Sequence, residues 1–146
     1  MANHGFITTR KNLTIDHLMA MINEINLVRF KGKLSVSLRD SVAIIALSKS
    51  ETMEIPFWLA SKRKIETRHS FNGDMGWWVS SVFTNEIALK IGGTISDEGV
   101  SEKWKGSPDQ YPTLKSWLDS IYRTRLSKAM ALQSARRFKH LREFIR

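Results

Sequence analysis

The chain has 146 residues, 42% apolar and 25% charged, with no cysteine and a formal net charge of +9. That length suits one domain with its own core, and the lack of cysteine excludes a disulfide framework, thiolate metal sites and thiol catalysis. No apolar run approaches the ~20 residues needed to span a bilayer, and the first residues hold no apolar stretch of signal-peptide length, so the sequence reads as soluble and intracellular, or incorporated in a viral particle.

Residues 1–13 are polar and aperiodic, and read as an arm. Thr14 suits a helix N-cap, with Asp16 in the first turn where a carboxylate complements the positive helix end. Ile15, Leu18, Met19, Ile22 and Ile25 recur at helical spacing and predict a helix ending near Asn26. Residues 27–30 read as a short strand, followed by a two-residue connection at Lys31-Gly32. Residues 33–38 alternate, with Leu34, Val36 and Leu38 on one side and Ser35 and Ser37 on the other, the pattern of a half-buried strand. After a turn at Arg39-Asp40-Ser41, residues 42–47 are apolar on both faces and read as a central strand. Residues 48–54 read as a polar loop. Pro56 suits a strand start, because it cannot donate a ladder bond, and one long strand is predicted from there to a turn at Asn72-Gly73. Unbroken, it sets Trp58, Lys62, Lys64 and Arg68 on one sheet face; a bulge near Ser61 re-aims half of that set.

Trp78, Val82, Phe83, Ile87 and Ile91 predict a buried helix stopped by Gly92-Gly93. Residues 94–110 carry Asp97, Glu98, Gly99, Glu102, Gly106 and Pro108 and read as a loop, long enough to be a functional suspect. Thr113 suits the cap of a third helix whose core face is Leu114, Trp117, Leu118 and Ile121. Residues 127–146 predict one amphipathic helix, with Met130, Phe138, Leu141 and Ile145 along a stripe. The sum is an α+β fold: an N-terminal helix, a four-stranded antiparallel meander, a buried central helix and two C-terminal helices. Within one domain, 1–13 is the arm, 14–122 the core and 123–146 a basic C-terminal helix.

Charge is uneven along the chain. From Arg123 onward eight basic residues face only Glu143, a net of +7, while the first 122 residues hold 15 basic against 13 acidic. Residues 97–119 hold five acids against three bases. A basic stripe points to nucleic acid, an acidic protein surface or an anionic membrane. Four histidines lie at no metal-ligand spacing, and Asp97, Glu98 and Glu102 form an acidic patch without EF-hand spacing. No G-x-S-x-G, H-E-x-x-H or Walker motif is present. No catalytic residue, metal site or cofactor is therefore expected.

Two surfaces carry the functional reading. One is Trp58 with Lys62, Lys64 and Arg68, since aromatic rings stack on bases while cations hold phosphates. The other is the basic tail, with Arg136, Arg137, Lys139 and Arg142. Together they predict a non-enzymatic structural or interaction subunit of a larger assembly, a viral or phage particle or another nucleoprotein complex. Its terminal arms would contact other protein subunits, copies of itself included, and nucleic acid. The alternative is a stand-alone nucleic-acid-binding module using the same two surfaces. A third reading, an enzyme with a site near His69, Asp97 and Glu98, has no motif behind it.

Overall fold

Alternating side chains decide which way this sheet faces. The computed structural model describes residues 4–48, 53–68, 73–98, 102–106 and 112–146. Seven strands lie in it: β1 (His4–Thr8), β2 (Ser35–Arg39), β3 (Val42–Ala46), β4 (Glu54–Ser61), β5 (Lys64–Arg68), β6 (Thr94–Asp97) and β7 (Lys103–Lys105). They form one antiparallel sheet in the order β2-β3-β4-β5-β1-β6-β7. Ile7, Ala43, Ile45, Ile55, Phe57, Ile65 and Ile95 share the inner face, and none is more than 2% exposed. Thr67 is the polar exception, and its hydroxyl donates to the Pro56 carbonyl (2.7 Å).

Helices α1 (Ile15–Phe30) and α2 (Gly73–Ile91) cover that inner face. Leu18, Ile22, Ile25 and Phe30 of α1 meet Trp78, Val82, Phe83 and Ile87 of α2 in the core. Phe30 stacks on Phe83 (centroids 5.6 Å apart) and meets Trp78 edge-on at 5.7 Å. Thr14 caps α1 as its sequence suggests, accepting from the His17 backbone N–H. Buried Asn26 ties α1 to β2 by bonding both the N–H and the carbonyl of Leu34. Gly92 ends α2 with φ of 60°, and Gly93 follows in close contact with β1, where an added Cβ would meet Ile7 Cγ2 at 2.8 Å.

Helices α3 (Leu114–Ile121) and α4 (Arg125–Ala135) pack against α2, and a 3₁₀ turn (Lys139–Leu141) leads into the short α5 (Arg142–Ile145). Thr113 and Ser116 form a reciprocal capping box at the start of α3. The Tyr122 hydroxyl donates to Asp74 Oδ1 (2.8 Å), joining the end of α3 to the start of α2. That bond, aided by burial and the carboxylate charge, raises the phenol pKa. Among the described residues no helix is long and apolar enough to cross a membrane.

The α+β class and antiparallel pairing match the sequence reading, but the inventory of elements differs. Part of the polar arm is β1, hydrogen-bonded on both sides inside the sheet. Residues 27–30 are the last turn of α1, because Phe30 continues the buried stripe while Leu27 and Val28 point to solvent. The long strand is two strands, β4 and β5, reversed at Lys62-Arg63 next to a register shift between Leu59 and Ser61. The expected four-stranded meander is therefore not the one formed: its first strand is helix and its last is two, so β2–β5 run consecutively, and β1, β6 and β7 bring the sheet to seven strands. The expected loop from 94 contains β6 and β7, short strands whose pattern was masked by acids and glycines. The C-terminal helix is interrupted after Ala135, and its stripe faces inward. Phe138, Leu141 and Ile145 are buried in the molecule's own core, whereas Met130 is 62% exposed.

The tail is therefore part of the core, and Phe138→Ala should cost about 3–5 kcal/mol in denaturant titration, as buried aromatic truncations do; a loss well under 1 kcal/mol would contradict this packing. Glu143 of α5 bridges Lys31 and Lys33. Hydrogen bonds from those two lysines hold its carboxyl below the ordinary value of 4.5. A depressed carboxylate stabilises above its unfolded pKa and loses that contribution as pH falls through the folded value. Glu143→Gln should thus flatten the acid limb of the Tm-versus-pH curve, and an unchanged limb would count against the bridge.

Candidate nucleic-acid interface

The outer face of the same sheet is built by the alternate residues. Cross-strand register sets Arg39, Val42, Trp58, Glu66, Phe6, Ser96 and Lys103 in one row across all seven strands. A parallel row holds Lys64, Thr8, Thr94 and Lys105. On the other side of the aromatic row stand Arg68, His4 and Glu98. Among the described residues no helix covers this face, since α1 and α2 lie on the inner side and α3 and α4 pack on α2. Phe6, Trp58, Val42 and Ile44 are half-buried.

The two outer aromatics are held in place. His4 meets Trp58 edge-on (6.1 Å) and lies over Phe6 (6.4 Å). His4 Nδ1 is 2.9 Å from Glu66 Oε1. Lys64 Nζ sits 4.3 Å from the centroid of the Phe6 ring, a cation–π contact that leaves the ammonium at the surface.

One end of the sheet is strongly basic. The segment leading from β1 to α1 is tied to the β4–β5 turn: Thr9 N–H donates to the Arg63 carbonyl (3.0 Å), Leu13 N–H to the Lys62 carbonyl (2.7 Å), and Arg63 Nε to Asn12 Oδ1 (3.0 Å). Those bonds gather Arg10, Lys11, Lys62 and Arg63 beside Lys64 and Lys105. Two open clefts lie there. One, about 680 Å³, is lined by Thr8, Thr9, Arg10, Lys11, Thr94 and Lys105 among others; the other, about 460 Å³, by Asn12, Ser61, Lys62 and Arg63. None of the six cations is in an ion pair among the described residues.

Of the residues singled out from sequence, Trp58, Lys64 and Arg68 do share the outer face, on neighbouring strands rather than on one. Lys62 does not; the turn carries it to the basic end. Arg136, Arg137, Lys139 and Arg142 lie on the helical side of the molecule, away from this face. Asp97 closes β6, Glu98 accepts from the His4 backbone N–H (3.3 Å), and Glu102 is exposed. Among the described residues no three His, Asp or Glu side chains gather as a metal-binding set, and His69 lies outside them. Sequence reasoning missed His4, Phe6, Arg10, Lys11, Arg63, Lys103 and Lys105. The alternation of Gly5 and Ile7 with His4, Phe6 and Thr8 was the available signal for β1.

No family model, curated protein or solved structure matches the chain. The chemistry of the surface is therefore the guide to function. A surface role for the outer aromatics has a stability signature. Trp58→Ala and Phe6→Ala should each cost under about 2 kcal/mol, against about 3–5 kcal/mol for Trp78→Ala in the core. Equal losses in denaturant titration would mean that the outer face is covered.

Proposed function

We propose that this protein is a non-enzymatic nucleic-acid-binding module that takes single strands across the outer face of its sheet. The observation that carries the reading is the registered row in which Trp58 and Phe6 flank Glu66, with the Lys64–Lys105 row beside it. Exposed rings stack on unpaired bases, and a flanking line of cations holds the phosphates. Glu66 fixes the sense of the arrangement. Its carboxylate repels phosphate, so the backbone runs along Lys64 and Lys105 and over the basic end, while the bases turn inward to the rings. The two rows are two residues apart along the strands, roughly 6.8 Å, which separates phosphate from base by a reach of nucleotide size.

The reading as a subunit held in an assembly by its C-terminal stripe has lost its motive, because Phe138, Leu141 and Ile145 are in the protein's own core. A narrower form is supported by Leu126 and Met130, exposed at 71% and 62% one turn apart on α4. It makes the protein a component of a nucleoprotein assembly that also meets another protein subunit.

Fluorescence anisotropy with labelled oligothymidine, oligouridine and a duplex of equal length tests the proposal. Single strands should bind more tightly than duplex. Trp58→Ala should weaken single-strand binding by about 1–3 kcal/mol, the usual worth of one stacked base. Lys64→Gln with Lys105→Gln should reduce the slope of log K against log salt by about 1.4, two phosphates at ~0.7 each. No binding at low salt, or equal affinity of the Trp58 variant, would sink the idea.

A further inference from the structure

A second concentration of positive charge lies on the helical side. Lys115 of α3, Arg136 at the end of α4, and Arg142 and Arg146 at the C-terminal turn line a cleft of about 500 Å³. Leu132 and Ile145 form its apolar part, and among the described residues no acid lines it. The acids nearest in sequence are engaged elsewhere. Asp119, one turn after Lys115, pairs with Lys128 (3.2 Å), and Glu143, next to Arg142, is held by Lys31 and Lys33. The side chains of Lys115, Arg136, Arg142 and Arg146 make no hydrogen bond or ion pair among the described residues.

Four like charges around one cleft repel one another, and folding alone gives no reason to bring them together. They do not ride on a loose tail either. Ala131, Ala135, Phe138, Leu141 and Ile145 are all buried, which fixes the backbone on both sides of the cleft. The backbone that carries the cations is thus fixed, and three of the four are arginines, whose planar forks bind phosphate oxygens in pairs. We infer that this cleft is a binding site for two or three closely spaced phosphate groups. Leu132 and Ile145 leave room for an adjoining non-polar portion of the ligand. A nucleoside triphosphate and a stretch of nucleic-acid backbone both present this chemistry. The site is separate from the outer sheet face and does not depend on its role.

Isothermal titration of the whole protein with inorganic tripolyphosphate is the first measurement, followed by ATP and by a short oligothymidine. Arg136→Gln with Arg142→Gln should weaken tripolyphosphate binding roughly tenfold or more, the loss expected when charge-assisted hydrogen bonds are removed. Arg123→Gln with Arg125→Gln, which alters equally basic positions outside the cleft, should leave it nearly unchanged. Thermal melts of both double variants check that each is folded, and bound tripolyphosphate should raise the Tm of the parent protein. Retention of tripolyphosphate binding by Trp58→Ala separates this site from the sheet face. Tighter binding of ATP than of oligothymidine, lost in the Arg136/Arg142 variant, assigns a free phosphorylated ligand. Competition between oligothymidine and tripolyphosphate assigns nucleic-acid backbone. Absence of tripolyphosphate binding, or equal weakening by the control pair, overturns the inference.

Discussion

Strand β1 joins what would otherwise be two separate pieces of sheet. Its pairing with β5 attaches the meander β2–β5, and its pairing with β6 attaches the β6–β7 hairpin. Both contacts join distant parts of the sequence, so their loop-closure entropy must be offset by burial. Ile7 and Gly5 supply it on the inner face, where Gly93 approaches so closely that no larger residue fits without movement. The hydroxyls of Thr8 and Thr9 donate to the carbonyls of Thr94 and Ile91, fastening β1 to the end of α2 and the start of β6. The same five residues place His4, Phe6 and Thr8 at the centre of the outer face. Core closure and the candidate interface therefore depend on one strand.

The distribution of acids explains where the net charge is felt. On the helical side and at the β2 edge, Glu24 pairs with Lys90, Glu54 with Arg39, Glu86 with Arg29 and Asp119 with Lys128. The more exposed of these pairs add little stability. Their effect is to neutralise those cations, so that the surplus appears at the basic end of the sheet and in the C-terminal cleft. Counted along the chain, most of the surplus lies in residues 123–146. In space, the basic end draws Arg10 and Lys11, Lys62 to Lys64, and Lys105 from three distant segments, and no linear count could have found it.

Elements with a strong period and clear end signals were legible from the residues. Helix α2, with five large apolar residues at helical spacing and a double glycine after them, formed as read; α3 formed behind Thr113 with Leu114, Trp117 and Leu118 buried, but Ile121, expected on the same core face, is 47% exposed in its last turn. Strand β3, apolar on both faces, lies between β2 and β4. Failures occurred where local pattern and tertiary packing disagree. Leu27, Val28 and Phe30 look like a strand, but burial of Phe30 keeps the helix going. Strand β6 offers one inward apolar residue, Ile95, and gets its pairing from β1, nearly ninety positions away in the chain. The break after Ala135 has no glycine or proline to announce it, and residues 131, 135, 138, 141 and 145 keep helical spacing straight through it. The candidate site was legible to a lesser extent: Trp58, Lys64 and Arg68 were grouped by the parity of one unbroken strand, but they share the face through the register of β4 against β5, and Phe6 and the basic end likewise require the sheet to be assembled.

The half-burial of the outer aromatics matters to how the face would act. A fully exposed ring on a loop loses rotamer freedom when it stacks on a ligand, and that loss is subtracted from affinity. Here Trp58 is bounded by His4, and Phe6 by His4 and Lys64, with β-sheet backbone beneath both. The rings are ordered before any ligand arrives. The face also lacks the continuous apolar character of a buried sheet surface, because Glu66 interrupts it between the two rings. A second sheet or helix packed flat on this face would have to bury that carboxylate together with the charges of Lys64 and Arg68 in the rows beside it, at a desolvation cost of several kcal/mol. A strand of nucleic acid has no such difficulty. Under the proposed function it would touch the rings with its bases, lie along the lysines with its backbone, and leave Glu66 open to water or to the exocyclic amino groups of the bases.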